Sequence, residues 1–229
     1  KPQLKEVVYN DKNRFMANLF QCMRIPDEFY KALSEVKSQN KNLFYQCQDN
    51  LNVIAKGNCG FELGDCDIAS QYAYVATQVF SGSKILESKF IDLKGKYSSK
   101  YDALRRRLQK SDIKNKLNKI THCENLDYSD LISKYDSPTT FFYVDPPYWK
   151  TENYYSNHDF DRNDHQTLCE LLGKIDGLFA LSYYEFDKLS EWLPKEDFTW
   201  IEKEFTKAAG ASKGKKQNKG TELLIMNYF

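Results

Sequence analysis

The stretch Thr139–Lys150, "TTFFYVDPPYWK", decides how the rest of the chain is read. Phe141 to Val144, aromatic and β-branched, read as a fully buried β-strand. Asp145 follows, pushed away from helical geometry by the proline after it. Pro146 and Pro147 have no N–H to give a sheet. The strand must therefore stop there, and its end presents a carboxylate, two proline carbonyls and the ring of Tyr148. Such an end is a hard turn or the floor of a pocket.

On both sides of this stretch the hydrophobic pattern alternates between strand and helix. "EVVYND" (Glu6–Asp11) predicts a short buried strand, and "NRFMANLFQCM" a helix through Phe15, Leu19 and Met23. Pro26 and Asp27 mark a second helix start. "ITHCENLD", "FFYV", "GLFALSYY" and the closing "ELLIMNYF" predict strands. "YSDLISKYD", "RNDHQTLCELLGKI" and "FDKLSEWL" predict helices. Alternating strands and helices imply an α/β fold with an open, largely parallel sheet. The middle of the chain departs from that rhythm. "DIASQYAYVATQVF" is helical by pattern, "SGSKILESKFIDLKGKYSSK" irregular, and "YDALRRRLQKSDIKNKLNKI" one basic amphipathic helix. The expected organisation is a domain of residues 1–24 and 120–229, interrupted by a mostly helical insertion over 25–119.

At 229 residues and 41% hydrophobic content the chain can bury a real core. No run approaches the roughly 18 consecutive apolar residues of a membrane span, and "KPQLKEVVYNDKN" has no apolar signal-peptide core. Six cysteines (22, 47, 59, 66, 123 and 169) form no CxxC pair and there are three histidines. A reduced, cytoplasmic thiol set without a zinc site is the expectation.

The net charge of +1 hides a segregation. Leu93–Ile120 holds ten Lys or Arg against two Asp, a balance of +8. Lys203–Gly220 holds six Lys against one Glu, a balance of +5, which leaves the remainder near −12. Two basic surfaces on an acidic body suit a polyanion partner. A solvated helix face with a lysine-rich loop would give the same count.

In open α/β sheets ligands bind beyond the carboxyl ends of the strands. Asp11, Asp127, Asp145 and Ser182 all fall at or just after such ends. Helix capping explains Asp11 and Asp127 equally well. It does not explain Asp145, since a cap needs neither two prolines nor an aromatic after it.

At these residues the chain resembles the Dam-like (D12 class) S-adenosylmethionine-dependent N6-adenine DNA methyltransferases. "DPPY" at 145–148 matches their catalytic motif. "EVVYNDKN", "ENLDYSDLISKYDSPTTFFYVDPPYWKTENYY", "FDRNDHQTLCELLGKIDGLFALSYYE" and "NKGTELLIMNYF" follow the family pattern in order. The resemblance implies a Rossmann-like methyltransferase sheet with helices on both faces, the insertion being the target-recognition region. It implies S-adenosylmethionine as cofactor and double-stranded DNA as partner, in a cytoplasmic monomer of bacterial or phage type, with a restriction enzyme as a conceivable companion. Asp145 and the carbonyl of Pro146 would accept the two amino N–H bonds of a flipped-out adenine, with Pro147 shaping the turn and Tyr148 stacking on the base. Trp149, Tyr154 and Tyr155 would line the opening or pack beneath a loop. Asp11 would hold the cofactor ribose, and Asp127 would lie at its adenine end.

For DNA the resemblance and the charge pattern point to Lys94, Lys96, Lys100, Arg105, Arg106 and Arg107, and to Lys215 and Lys216 before the last strand. Three consecutive arginines cannot share one helix face, so one or two would meet phosphate. The tyrosine, asparagine and glycine pattern of the Dam hairpin that reads GATC does not occur in "FSGSKILESKFIDLKGKYSS", which leaves the target sequence open. The family's glycine-rich first motif, which would precede Asp11 by a helix and a turn, is not in this sequence. Gly57, Gly60 and Gly64 have no preceding strand and stand in the wrong order to replace it. The expectation is an N-terminally truncated stretch of a methyltransferase, with a complementing N-terminal segment on a second polypeptide, or a degenerate protein, as the alternatives. An RNA adenine or guanine methyltransferase and a catalytically impaired DNA-binding remnant are the alternative readings.

Overall fold

The computed structural model describes residues 4–36, 40–57, 60–79, 84–92, 100–152, 160–206 and 219–229. They form two compact units, one ending at Asp127 and the other starting at Tyr128.

The first unit is built on one small sheet and a helical core. β1 (Val8–Asn10) pairs in parallel with β2 (His122–Glu124), Tyr9 opposite Cys123. The chain leaves β1 into α1 (Arg14–Met23), where the Asn13 side chain accepts from the Phe15 N–H as an N-cap. Pro26 opens α2 (Pro26–Glu35) at a position whose N–H has no helical partner to lose. α3 (Lys41–Ala55) is capped by Asn40, and α4 (Cys66–Thr77) by Asp65, whose Oδ1 accepts from the N–H groups of Asp67 and Ile68. α4 buries Ala69, Tyr72, Ala73, Tyr74 and Val75, and so lies at the centre of the core with Phe15, Phe29, Leu33, Phe44 and Leu51 around it. Asn18 is fully buried and satisfied, its amide donating to Asp65 O at 2.9 Å and its carbonyl accepting from Gly64 N at 2.7 Å.

The basic segment 101–120 was expected as one helix and is two: α5 (Lys100–Leu108) and α6 (Ser111–Leu117). Lys110 between them is extended. Leu108 is buried at the end of α5 whereas α6 buries nothing, so the break leaves the polar remainder in water.

The second unit runs α7 (Tyr128–Tyr135), β3 (Phe141–Val144), α8 (Arg162–Leu172), β4 (Leu178–Tyr184), α9 (Leu189–Trp192), β5 (Thr199–Thr206) and β6 (Lys219–Met226). Its sheet order is β3-β4-β6-β5. β3 and β4 are parallel, while β6 runs antiparallel to both β4 and β5. The sheet is therefore mixed rather than largely parallel. α8 starts with a capping box in which the Asp161 carboxylate accepts from Asn163 and Asp164 N–H, and the Asp164 carboxylate accepts from Asp161 N–H. It buries Leu168, Cys169 and Leu172 in a core with Phe142, Phe179, Leu181, Leu223 and Ile225.

Two further expectations change. Among the described residues β3 is the end strand of its sheet and is not fully buried: its Phe142 is inside, while Phe141 and Tyr143 are 52% and 66% exposed. Successive strand side chains point to opposite faces, and here one face is packed. β5 is not legible in the sequence, because "TWIEKEFT" places three consecutive charged residues at its centre and shows no alternation.

The parallel pair β3–β4 depends on a close approach. The Asp136 carboxylate, just after α7, accepts from the N–H groups of Asp176 and Gly177 at 3.0 and 2.9 Å. A Cβ on Gly177 would lie 2.9 Å from Thr140 O and 3.0 Å from Ser137 O. Only glycine lets the strand start there.

Candidate active site

Val144 stands opposite Leu181, so Asp145 and Ser182 follow at the same level of neighbouring parallel strands. Past Asp145 the two prolines remove both N–H groups that could have continued the ladder. The chain then turns, with Thr151 donating from its N–H and its hydroxyl to Tyr148 O, each at 2.8 Å. That turn brings Tyr148 back over the strand ends. Its Oη lies 2.9 Å from Ser182 Oγ, beside the Asp145 carboxyl. Ser182 is buried, and its Oγ reaches Glu222 Oε1 of β6 at 3.5 Å.

These contacts set the electrostatics. Loss of hydration raises the Asp145 pKa; the Tyr148 hydrogen bond pulls it back, and the charge of Glu222 raises it further. Burial also pushes the Tyr148 phenol up, so that it stays protonated and serves as a donor. A carboxylate with a raised pKa at the end of a strand is suited to receiving a proton.

The loop after Tyr148 is pinned from behind. Lys150 takes a left-handed conformation, φ +68°, unusual for a residue with a side chain. Its N–H donates to Glu152 Oε1 at 3.0 Å. The same oxygen lies 2.8 Å from Nε2 of His165, a fully buried residue of α8. The other imidazole nitrogen meets the Tyr183 hydroxyl. Nε2 therefore carries the proton for Glu152, and Nδ1 accepts from Tyr183. Burial lowers the His165 pKa despite the acid beside it. Trp149 stacks on Phe186 at 4.7 Å and 7° and meets the edges of His165 and Trp192. Trp149 thus packs in this aromatic cluster and is only partly buried. In front of the loop lies a cavity of about 710 Å³, lined by Trp149, Lys150 and Thr151 on one side and Tyr184, Glu185 and Phe186 on the other.

In the first unit Asp11 and Asp127 also share a neighbourhood, at the ends of β1 and β2. Asp11 Oδ1 accepts from Asn13 N–H at 2.9 Å and Oδ2 from the Tyr9 hydroxyl at 3.0 Å. Asn125 donates to Asp11 O and Lys12 O, and Asn10 exchanges hydrogen bonds with the backbone of Leu126. These amides latch together the loops that leave the two strands. Asp127 is half-exposed and ion-paired to Lys12 at 3.3 Å. A carboxylate at the end of a parallel strand can accept hydrogen bonds from ribose hydroxyls, and Asp11 is the better anchored of the two.

The basic residues divide. Arg106 is exposed and Lys100 stands at the exposed start of α5. Arg105 turns inward, 3.8 Å from Asp102 and over the Tyr30 ring at 5.9 Å. Lys94, Lys96, Tyr154, Tyr155, Lys215 and Lys216 lie outside the described residues. Glu222, Glu152 and His165 were not singled out from sequence. Their signal was the pattern itself: an acid inside a strand, and a histidine on the apolar face of a helix.

The sequence model of the D12 class N6 adenine-specific DNA methyltransferase family matches residues 1–208 of the 229. No curated protein gave a significant match. Among the described residues no helix is long and apolar enough to cross a membrane.

Proposed function

The chain belongs to the D12 class of N6-adenine-specific DNA methyltransferases, and we propose that Asp145, Pro146 and Tyr148 hold the adenine it methylates. The class transfers a methyl group from S-adenosylmethionine to the adenine N6 of DNA, on a Rossmann-like α/β fold. The adenine amino group is a poor nucleophile, because its lone pair is delocalised into the ring. In our reading the Asp145 carboxylate and the Pro146 carbonyl accept its two N–H bonds. They draw the nitrogen towards tetrahedral geometry and localise the lone pair where attack needs it. The base enters flipped out of the duplex. Tyr148 offers its ring to the base while its hydroxyl is held by Ser182. Pro147 keeps the turn free of competing N–H donors.

S-adenosylmethionine, when bound, supplies the methyl group on a sulfonium sulfur. Asp11 would hold its ribose, and Asp127 would stand near its adenine end. Residues 1–24 and 120–229 form the catalytic domain in this reading, with helices on both faces of its sheet. Residues 25–119 form the target-recognition insertion of a monomer acting on duplex DNA. In this reading Lys94, Lys96, Lys100, Arg106, Lys215 and Lys216 would contribute phosphate contacts, and Tyr155 would contribute to base binding.

One observation carries the assignment: a carboxyl at the carboxyl end of a parallel strand, level with Ser182 of the next strand, whose hydroxyl holds the tyrosine three residues on. Transfer of labelled methyl groups to duplex DNA tests it. Asp145→Ala should abolish transfer and leave DNA binding intact; substantial remaining activity would overturn the mechanism.

A further inference from the structure

Three contacts run in series from the catalytic loop into the sheet. The Asp145 carboxyl meets the Tyr148 hydroxyl, Tyr148 Oη lies 2.9 Å from Ser182 Oγ, and Ser182 Oγ lies 3.5 Å from Glu222 Oε1. The order is acid, hydroxyl, hydroxyl, acid. Three hydrogen bonds need three protons, and the two hydroxyls supply two. With both carboxyls ionised, one contact at any moment goes without a proton.

A third proton completes the set. If it sits on Asp145, Asp145 donates to Tyr148, Tyr148 to Ser182 and Ser182 to Glu222. If it sits on Glu222, every donor reverses and every contact is again filled. We infer that Ser182 and Glu222 form, through Tyr148, a proton store for Asp145, which receives the proton that adenine N6 loses. The inference rests on the reading that Asp145 accepts an N6 N–H.

The transfer balances. The N6 lone pair forms the bond to the methyl carbon while the carbon–sulfur bond breaks, its electron pair staying on sulfur. N6 is then cationic with two hydrogens. One N–H bond breaks, its pair returns to nitrogen, and the proton passes to Asp145. Tyr148 and Ser182 each release one proton and accept one, so both end neutral and the charge of one carboxylate is neutralised.

The register supports this assignment. Ser182 and Glu222 lie on adjacent antiparallel strands, two positions out of register, on the same face of the sheet. Glu222 stands opposite Tyr184 of β4 and Lys203 of β5. Tyr148, Tyr184 and Lys203 are therefore the titratable groups that face the two acids, and Lys203 is the cation among them. Glu222 and Ser182 do not reach the substrate; both act through Tyr148 and Asp145.

Single-turnover methyl transfer to duplex DNA, followed against pH, tests the inference. Glu222→Gln and Ser182→Ala should each slow the step about tenfold or more and shift the acid limb of the profile, with KM for S-adenosylmethionine and DNA affinity unchanged. The double variant should be no slower than the slower single one, and Ser182→Thr, which keeps a hydroxyl, should restore the rate. An inactive Asp145→Ala beside Glu222→Gln and Ser182→Ala variants of wild-type rate and profile would overturn the inference and leave the Asp145 assignment standing. An active Asp145→Ala would overturn that assignment itself. Carbon-13 NMR of the Asp145 carboxyl reads the same coupling without turnover. Its titration should move to lower pH in Glu222→Gln, and an unmoved titration would overturn the coupling.

Discussion

The imidazole of His165 and the carboxylate of Glu152 meet at 2.8 Å in a setting almost closed to water, their side chains 0% and 13% exposed. Burial lowers the pKa of His165. Burial would raise that of Glu152, but hydrogen bonds from its own N–H, His165 and Lys150 N–H hold it below the ordinary value. In the unfolded chain His165 takes up a proton near its ordinary value of 6.5, while the folded protein resists until lower pH. Stability from this pair is thus fully present above pH 6.5 and falls as pH drops below it. Glu152 adds a second decline below 4.5. Urea titrations across pH should show this slope, and His165→Gln should remove its upper part. His165→Leu, which leaves Glu152 and Tyr183 without their partner, should cost about 2–3 kcal/mol at neutral pH.

Gly177→Ala should destabilise by about 1–3 kcal/mol, since its methyl group meets backbone oxygens rather than a side chain that can turn away. Thermal unfolding would register the loss. A melting temperature equal to that of the parent would mean that the approach between α7 and β4 is slack.

Trp149→Ala and Asp145→Ala should separate stability from chemistry. Removing Trp149 empties the space between Phe186, His165 and Trp192 and should cost about 3 kcal/mol. Removing Asp145 takes away a carboxylate whose raised pKa opposes folding at neutral pH. Its melting temperature should stay level or rise while methyl transfer disappears.

On α5, Arg106→Ala should weaken DNA binding and reduce the slope of log affinity against log salt by about 1. Arg105→Ala should leave that slope in place and lower stability instead, because it removes the contacts with Asp102 and Tyr30. Equilibrium binding at several salt concentrations distinguishes the two.

What could be read from sequence was local. Asp145, two prolines and Tyr148 carry their geometry within four residues, so the end of β3 was legible without knowing its neighbours. Asn13, Pro26 and Asp161 punctuate their helices by the same short-range chemistry. Burial was not legible where it depends on what lies across the sheet: Phe141 and Tyr143 look identical to core residues until β3 proves to be an edge. Glu222 could not be placed beside Ser182 either, because antiparallel register is set by pairing between segments forty residues apart. β5 was hidden by charge, and only its pairing with β6 makes a strand of it.

Ser182 and Tyr183 are consecutive on β4, one turned to Tyr148 and the other to His165. A slip of β4 against β6 by a single residue would exchange their faces. The hydroxyl would then face the imidazole, and the phenol would crowd the catalytic turn. No such molecule could be partly right, since the same slip that spoils the chemistry also strands a buried histidine. The stability of the aromatic cluster therefore acts as a proofreading step for the active loop: the share of molecules competent to act should equal the share in which β4 found its correct register.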